Sequence, residues 1–542
     1  MRRLNSLLGA TVLAVLTCLT VSGCGSGTTA ATSDSSSAAP SAGVAPGTPA
    51  TPPIPVTQIA ATRFLEQATF GPSAADVTHI KTLGFDAWLT EQFAAPVTDY
   101  PVFTDADALD VVQSAFLRNA LSAPDQLRQR LAFALGQIFV VSNLKTDSRP
   151  GIANYQRVLL NDAFASYRTL LKDVSLSPAM GNYLDMANNA RANLAAGTSP
   201  NENYGREILQ LFSVGVIKLN PDGSSVLDAS GKPAATYSQD TIEGFSRAFT
   251  GWTYPTKAGS ASQSMNDEYY TGPMESRDDT HEPGTKALLN GTVLPAGQGA
   301  TRDLEAALDN IAQHPNVGPF IGSRLIQALV KSNPSPAYVQ RVANAFADDG
   351  QGKRGELKAV VRAVLLDPEA RAGDMLPATA TDGKLREPVL YMTRLLRAFG
   401  SRSDGRDLPQ YAQQMRQDIF NSPSVFNYFP PTYKPQGLTI YGPEFKIANA
   451  PTLAARLSFL YDFTSQNLPP STQPDFSDLV AVAGDNTSLI ALLDTRLMHG
   501  TTPDSLKNAV TAALPAAGTD QRQRAMLALY LFAASPAFNH QR

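Results

Sequence analysis

The fold class is decided by one stretch, Gln126-Leu127-Arg128-Gln129-Arg130-Leu131-Ala132-Phe133-Ala134-Leu135-Gly136-Gln137-Ile138-Phe139-Val140-Val141. Its apolar residues recur every three or four positions, with Arg128 and Arg130 on the other side, which is the period of an amphipathic helix. Similar patterns cover residues 57–69, 74–94, 105–121, 151–174, 238–249, 302–332, 336–349, 354–366, 386–398, 407–420, 446–463, 486–498, 502–514 and 520–534. The sequence therefore predicts a mainly α fold, a large multi-helix domain with a few long loops and at most a short β-hairpin.

A repeated dipeptide supports the helical prediction. A helix-capping residue followed by proline occurs at Ser177-Pro178, Ser335-Pro336, Asp367-Pro368, Ser422-Pro423 and Ser535-Pro536. The side-chain oxygen of the first residue can accept a bond from a free N–H of the first helical turn, and proline at the first helical position loses no hydrogen bond. Each pair is predicted to begin a helix.

Three segments are predicted to be irregular. Residues 220–237 contain turn signals and favour a short hairpin. Residues 253–300 form a long polar stretch, and loops of that length inside a compact domain are usually functional or disordered. Residues 426–445 hold six aromatic residues and four prolines, which indicates a packed, ordered loop because a disordered one would not hold so many apolar rings.

The N-terminus has the features of a bacterial lipoprotein precursor. Residues 1–23 combine a short basic start with an apolar run too short to be a comfortable membrane span, and they end in a lipobox at Val21-Ser22-Gly23-Cys24. We expect Cys24 to carry lipid, palmitate included, and to anchor an exported protein to a membrane, the outer one if the cell has two. An ordinary secretory signal is the alternative. Residues 24–55 are predicted to be a disordered Ser/Ala/Pro/Thr tether, and residues 56–542 an α-helical domain.

Composition excludes several classes of function. The only cysteines are Cys18, inside the signal, and Cys24, so a disulfide, a cysteine-ligated metal or a cysteine nucleophile is not expected in the folded domain. The formal net charge is −4 and no basic patch stands out, so nucleic acid is not expected as a partner. No G-x-S-x-G, P-loop or H-E-x-x-H motif occurs, and the sequence identifies neither a cofactor nor a metal.

The densest group of candidate site residues lies in Pro200-Asn201-Glu202-Asn203-Tyr204-Gly205-Arg206-Glu207-Ile208-Leu209-Gln210-Leu211-Phe212. On a helix, its polar residues share one arc opposite the apolar ones. That arc contains the candidate catalytic residues Glu202, Arg206 and Glu207, the candidate binding residue Asn203, and Gln210; Asn201 precedes it as a second candidate binding residue. A helix-interior glycine costs about 1 kcal/mol relative to alanine, so Gly205 predicts close approach of a ligand or another backbone. A solvated face is the alternative.

Three further residues are candidates from the following segment. His281 lies in a long polar loop among acidic residues, where histidines can act as general bases or metal ligands. Lys286, five positions later, is a candidate binding residue. Trp252 follows a helix end and is a candidate for stacking on a ligand, although a packed tryptophan beside a helix cap also accounts for it.

Blocks spread over nearly the whole folded chain resemble the bacterial domain of unknown function 1800 family. They are Arg63-Phe64-Leu65-Glu66-Gln67-Ala68-Thr69-Phe70-Gly71-Pro72, residues 129–135, the Asn-Glu-Asn-Tyr segment at 201–204, Phe249-Thr250-Gly251-Trp252, residues 314–317, Leu385-Arg386-Glu387-Pro388, residues 425–429, Gly442-Pro443-Glu444-Phe445 and residues 534–538. The resemblance implies an exported bacterial protein, often encoded beside an exported protein of the alkaline phosphatase and sulfatase type. It implies no established activity.

Two functions are therefore expected. The first is a binding or assembly partner of another exported protein or of an envelope polymer. The alternative is a hydrolase of an envelope or extracellular polymer, in which Glu202 or Glu207 is the acid or base, Arg206 sets its charge state and His281 completes the site. The alternative requires His281 to lie within about 4–6 Å of the Glu202–Glu207 arc, the range over which charges shift each other's pKa.

Overall fold

A computed structural model describes residues 56–375 and 382–542 of the chain. The predicted signal (1–23), the lipidation site Cys24 and the tether (24–55) lie outside the described residues and stay predictions. The first helix of the described residues begins at Gln58.

Helices dominate the described residues, which confirms the mainly α prediction. The α-helices are α1 Gln58–Ala68, α2 Ala74–Leu83, α3 Phe85–Ala94, α4 Leu109–Ser122, α5 Gln126–Gly136, α6 Asn143–Thr146, α7 Arg149–Asp162, α8 Tyr167–Leu176, α9 Pro178–Tyr183, α10 Asn203–Gln210, α11 Gln239–Ala248, α12 Ala300–Ala312, α13 Val317–Leu329, α14 Pro336–Ala347, α15 Leu357–Leu366, α16 Pro368–Arg371, α17 Pro388–Ala398, α18 Pro409–Gln414, α19 Ala450–Ser465, α20 Ser477–Ala481, α21 Asn486–Met498, α22 Asp504–Ala513, α23 Gln521–Ala534 and α24 Pro536–Asn539. Short 3₁₀ helices occupy Leu289–Gly291, Ala372–Asp374, Pro443–Lys446 and Leu514–Ala517.

Three of the predicted helices are each two helices in the structure. Gly84, with φ +82°, ends α2 and precedes α3 inside the predicted 74–94 helix, because glycine adopts this backbone conformation without a side-chain clash. Ser166 caps α8 inside the predicted 151–174 helix, where its hydroxyl accepts from Thr169 N. The predicted 302–332 helix divides at residues 313–316 into α12 and α13.

Four of the five capping pairs begin helices, at α9, α14, α16 and α24. Ser335, for example, accepts a hydrogen bond from Tyr338 N at 3.2 Å. The prediction is wrong for Ser422-Pro423, which begins a turn instead. The chain continues from this turn into the 426–445 loop, where the Pro431 carbonyl oxygen accepts a hydrogen bond from Gln327 of α13 at 3.4 Å.

The β structure of the described residues consists of four antiparallel pairs of two-residue strands. They are β1 Trp252–Thr253 with β2 Glu275–Ser276, β3 Lys286–Ala287 with β4 Val293–Leu294, β5 Lys384–Leu385 with β8 His540–Gln541, and β6 Arg402–Ser403 with β7 Thr472–Gln473. The predicted hairpin region carries three isolated bridges, at Ile217–Ala235, Leu219–Ser225 and Leu227–Pro233. The pairs β5–β8 and β6–β7 join segments far apart in sequence, which no local pattern reveals.

Helix α5 lies in the centre of the apolar core rather than at its edge. Leu127, Leu131 and Leu135 are at most 1% exposed, as the pattern predicted. Arg128 and Arg130, predicted on the polar side, are also buried, at 8% and 0% exposure. A helix surrounded by other helices buries its polar side too, and this brings Arg130 close to the cavity described below.

Candidate functional site

Helix α10 forms where the sequence predicted the polar arc. Tyr204 and Ile208 are buried on its apolar side. Glu202 and Arg206 make the expected ion pair, with 2.6 Å between Oε2 and Nη2. Gln239 of α11 donates two further hydrogen bonds to Glu202, at 3.0 and 3.1 Å. Both charged side chains are about one-third exposed, so they form a surface ion pair, a kind that contributes little to stability.

Gly205 is explained by helix packing. A Cβ at this position would clash with Ser246 Oγ and lie 2.9 Å from Ser246 N in α11. The two helices therefore cross closely because residue 205 has no side chain. The close approach that the sequence predicted is to another backbone, and no ligand is needed to account for it.

Glu207 is the partly buried member of the arc. Its Oε2 is a buried atom without a hydrogen-bond partner, and so is the hydroxyl of Tyr237. Burial raises the pKa of the Glu207 carboxyl, although the Arg206 guanidinium opposes the shift. Burial, assisted by the Glu207 charge, raises the pKa of both Tyr183 and Tyr237 to about 12. The Glu207 charge therefore acts on two tyrosine side chains.

Asn201 and Asn203 are exposed and hold local structure. Asn201 pairs through its backbone with the Asn189 side chain, at 2.8 and 3.2 Å. The Asn203 amide donates to Asp185 Oδ2 at 2.6 Å. Both amides remain on the surface beside the arc.

His281 lies in a buried triad with Asp303 and Lys286. Its Nε2 is 2.9 Å from Asp303 Oδ2, and its Nδ1 is 2.8 Å from the Thr250 carbonyl oxygen. Lys286 Nζ lies 2.6 Å from the same Asp303 oxygen and donates to the Glu282 and Gly284 carbonyl oxygens. The three side chains of the triad are at most 2% exposed. Every ring nitrogen and ammonium proton therefore has a protein partner.

The triad stabilises the charged form of the Asp303 carboxyl group. Burial alone would raise the pKa of Asp303, but hydrogen bonds from His281 and Lys286 outweigh it and hold that pKa below its ordinary value. Among the described residues, no hydrogen bond or ion pair joins His281 to Glu202, Arg206 or Glu207. Tertiary structure thus separates the predicted catalytic residues into a surface arc and a buried triad.

Trp252, the candidate stacking residue, is 5% exposed and lies in β1. Its indole Nε1 is a buried atom without a hydrogen-bond partner. The ring packs in the core, so it offers no open face to a ligand. The alternative that the sequence left open, a packed tryptophan, agrees with its position.

A cavity of about 260 Å³ lies between α5, α13 and the 426–445 loop. Its walls are apolar and include Phe320, Phe426, Phe429 and two consecutive prolines, Pro430 and Pro431. Its polar lining consists of Gln137, Gln210, Arg324, Gln327, Lys384, Asn427, Thr432 and Glu444. Ligand sites in proteins commonly have this form, with mainly apolar walls and a few polar groups that fix orientation.

The innermost polar groups form a buried charged network. Lys384 Nζ donates to the Gln327 and Ala328 carbonyl oxygens at the C-terminus of α13 and lies 3.0 Å from Glu444 Oε1. Glu444 is 2% exposed, lines the cavity and leaves its Oε2 without a partner. Burial raises the pKa of Glu444, and the Lys384 ammonium opposes that shift. A buried carboxyl group with one unpartnered oxygen therefore belongs to a residue that lines the cavity.

Two further charged residues adjoin the network. Glu387, which precedes α17, accepts hydrogen bonds from Gln137 and Gln417, but its Oε1 has no hydrogen-bond partner. Arg130 is 0% exposed and uses only Nη2, which donates to the Ala328 carbonyl oxygen at 2.6 Å, while Nε and Nη1 have no partner. Burial lowers the pKa of Arg130 to about 10, with the Glu387 and Glu444 charges opposing.

Arg324 supplies a guanidinium at the cavity wall. It donates to Gln327 at 3.0 Å and stacks on the Phe320 ring at 5.0 Å. Burial lowers its pKa to about 10, and Tyr441 opposes that shift. Because the planar group is fixed by the ring beneath it, its remaining donors are preorganised for a ligand.

The sequence held partial signals for this cavity. Gln210 belongs to the predicted polar arc, and the density of aromatic residues in the 426–445 loop predicted order. Lys384 and Glu387 lie at the start of the predicted helix 386–398, where charged residues usually form structural ion pairs. Their convergence with Glu444 depends on the β5–β8 pairing and on the loop lying across α13, which sequence spacing does not encode.

Two further observations concern the described residues as a whole. Within residues 56–375 and 382–542, no helix is long and apolar enough to cross a bilayer. In the same ranges, no group of three or more His, Cys, Asp and Glu side chains is arranged to hold a metal ion.

Comparison with known proteins gives one match. No curated protein and no solved structure matches the chain. A family model described as "Protein of unknown function (DUF1800)" matches residues 63–540. With most of its length matched, the chain belongs to that family.

Proposed function

We propose that this protein is an exported, lipid-anchored binding protein whose cavity takes a group of an envelope polymer. The observation that carries the proposal is that Glu444, whose buried Oε2 has no hydrogen-bond partner, lines a cavity with aromatic walls. A buried polar atom without a partner is costly, and a ligand hydroxyl or amide can satisfy it.

The polar lining favours a polyhydroxylated or amide-bearing ligand. The cavity presents the amides Gln137, Gln210, Gln327 and Asn427 beside the rings of its wall. Amides both donate and accept hydrogen bonds, so they match groups that do the same. Aromatic faces bind the apolar face of a ring. A sugar-containing polymer combines both properties.

The exported, anchored part of the proposal rests on the lipobox at Cys24. The family resemblance implies an exported partner of the alkaline phosphatase and sulfatase type. We propose that the anchored protein recruits this partner to the membrane surface. Cys24→Ala is expected to abolish labelling by radioactive palmitate and to release the protein from membranes. Unchanged palmitate labelling of the variant would remove the anchor from the proposal.

Ligand binding is tested by co-sedimentation of the purified protein with cell-wall sacculi and with the exopolysaccharide of the producing strain. Phe426, on the cavity wall, is 42% exposed, so Phe426→Ala leaves the core intact and is expected to weaken binding at least about tenfold. Leu194→Ala, at a 94% exposed apolar position outside the lining, is the matched control. Absence of binding to both polymers, or equal binding by Phe426→Ala, contradicts the proposal.

Hydrolysis is the second candidate function, and the raised pKa of Glu444 favours it. Burial raises the pKa of the Glu444 carboxyl, and a carboxyl group with a raised pKa is suited to the role of a general acid. Glu387, the other carboxyl of the network, is 0% exposed and does not line the cavity, so a second acid or base is not in place. If the protein is a hydrolase, Glu444→Gln abolishes release of reducing ends from the polymer but retains polymer binding. Absence of reducing ends with the wild-type protein leaves binding as the function.

A further inference from the structure

A group of exposed apolar side chains lies on the 426–445 loop. Leu438 is 53% exposed, Ile440 43%, Tyr441 37% and Phe445 39%. Of the 17 exposed large apolar side chains in the described residues, five lie within residues 426–445. Single exposed apolar residues are ordinary, but a concentration of this kind marks an interaction site. We name Leu438, Ile440, Tyr441 and Phe445, with Lys434 and Lys446, the loop-tip surface.

The loop-tip surface is held outward by hydrogen bonds. The Tyr441 backbone makes two bonds of 2.8 Å with the Asn333 side chain, which attach the loop to the chain after α13. Gly442 N donates to the Tyr433 carbonyl oxygen at 2.9 Å and closes the loop on itself. The apolar side chains are therefore presented by an ordered backbone, so little ordering is required when they are covered.

The exposed charges of the loop-tip surface are both positive. Lys434 Nζ lies 5.1 Å from the Tyr441 ring centre, and Lys446 Nζ lies 5.5 Å from the Tyr433 ring centre. The one acidic residue between positions 426 and 446 is Glu444, and it is buried. Lysines beside tyrosine, phenylalanine and aliphatic side chains are the combination found where proteins meet the bilayer interface.

The geometry points to a lipid surface with anionic headgroups as the occupant of the loop-tip surface. We propose that Leu438, Ile440, Tyr441 and Phe445 insert into the headgroup region while Lys434 and Lys446 bind lipid phosphates. A protein partner fits less well, because stable protein interfaces bury about 800 Å² on each side, more than these few side chains supply.

The sequence outside the described residues favours the same occupant. A lipid anchor at Cys24 would hold the folded domain close to a bilayer and so raise the effective concentration of lipid around it. This step rests on the proposed anchor, whereas the contact itself does not.

Docking by this surface would place the cavity at the membrane. Phe426, Phe429, Pro430 and Pro431 of the same loop form the cavity wall. Binding of the loop to a bilayer would therefore hold the cavity close to the membrane surface, where it would bind its ligand.

The test uses the mature chain from Cys24, produced without its signal so that no lipid is attached. Binding is measured by sedimentation with phosphatidylcholine vesicles that contain or lack phosphatidylglycerol. We expect binding to the vesicles with phosphatidylglycerol. Leu438→Ser with Ile440→Ser should lower the partition coefficient at least about tenfold. Lys434→Gln and Lys446→Gln should each lower it about fivefold, on the anionic vesicles only and less at high salt.

Leu194→Ser is the matched control, since it removes an exposed aliphatic side chain outside the loop and should leave vesicle binding unchanged. Thermal unfolding of each variant checks that the exposed substitutions leave the fold intact. The proposal is overturned if the wild-type chain binds neither kind of vesicle, or if the Leu438 and Ile440 substitutions leave binding as it was. Because neither polymer nor anchor is present in this assay, its failure is distinct from failure of the proposed function.

Discussion

Two clusters of charged side chains are similarly buried but differ in how completely their polar atoms are hydrogen-bonded. In the triad of His281, Asp303 and Lys286, every nitrogen and carboxylate oxygen has a protein partner. In the network around Glu444 and Lys384, Glu444 Oε2 has none, and the residue Glu444 lines a cavity. Burial of charge therefore does not by itself indicate function. Unsatisfied polar atoms beside open space are the stronger indication.

The largest expected effect is on the triad. Asp303→Ala leaves Lys286 and His281 buried without their carboxylate, so we expect the free energy of unfolding to fall by about 3–5 kcal/mol. Urea unfolding measures the change. Glu202→Gln, which breaks the exposed pair with Arg206, is the control and should cost about 1 kcal/mol or less. Similar losses of unfolding free energy in the two variants would show that the buried triad and the exposed ion pair contribute equally to stability.

The packing of α10 on α11 predicts the next effect. Gly205→Ala forces a Cβ into Ser246 of α11, so the overpacking should cost about 1–3 kcal/mol despite the better helix propensity of alanine. Gly136→Ala is the matched control, since its nearest neighbour is the flexible end of Leu159 at 3.3 Å. If Gly205→Ala instead keeps its stability and loses polymer binding, residue 205 belongs to a ligand site and the arc regains a functional role.

The two clusters should also respond to pH with opposite signs. The raised pKa of Glu444 means that its contribution to stability is fully present below the ordinary value of 4.5 and is lost as pH rises through the folded-state pKa. The lowered pKa of Asp303 means that its contribution is present above the ordinary value and is lost as pH falls through the folded-state pKa.

Glu444→Gln isolates the cavity-side response. The stability difference between wild type and variant should shift by about 1.4 kcal/mol for each unit by which the Glu444 pKa is raised, over a range that begins near pH 4.5. Thermal unfolding across the acidic to neutral range measures it. A stability difference that stays constant with pH would mean that the pKa of Glu444 is not raised in the folded protein.

The smallest effect is expected for Arg130. Arg130→Met removes one hydrogen bond and two unpartnered nitrogens, and the Ala328 carbonyl oxygen keeps the bond from Lys384. Replacing a poorly paired buried charge by an apolar residue of similar length is often near neutral, so we expect a change of about 1 kcal/mol or less. A loss as large as that of Asp303→Ala would show that the network around Glu444 is as fully paired as the triad.

The sequence predicted the helices and loops better than the contacts between them. Helix α10 and its Glu202–Arg206 pair follow from i, i+4 spacing, which is a local property. The order of the 426–445 loop follows from its aromatic content. The contacts of His281 with Asp303 and of Lys384 with Glu444 join residues that are far apart in sequence. Packing brings these residues together, and a single sequence holds no signal for such pairs.

By itself, the sequence determined the helical class, most helix starts and the apolar face of α10, because each depends on residues within a few turns of one another. It also determined the family, through blocks spread along the chain. Only the tertiary structure decided that His281 is fully paired, that Gly205 serves a helix crossing and that the cavity lies at Glu444. Those outcomes depend on which surfaces meet, and packing of distant segments sets them.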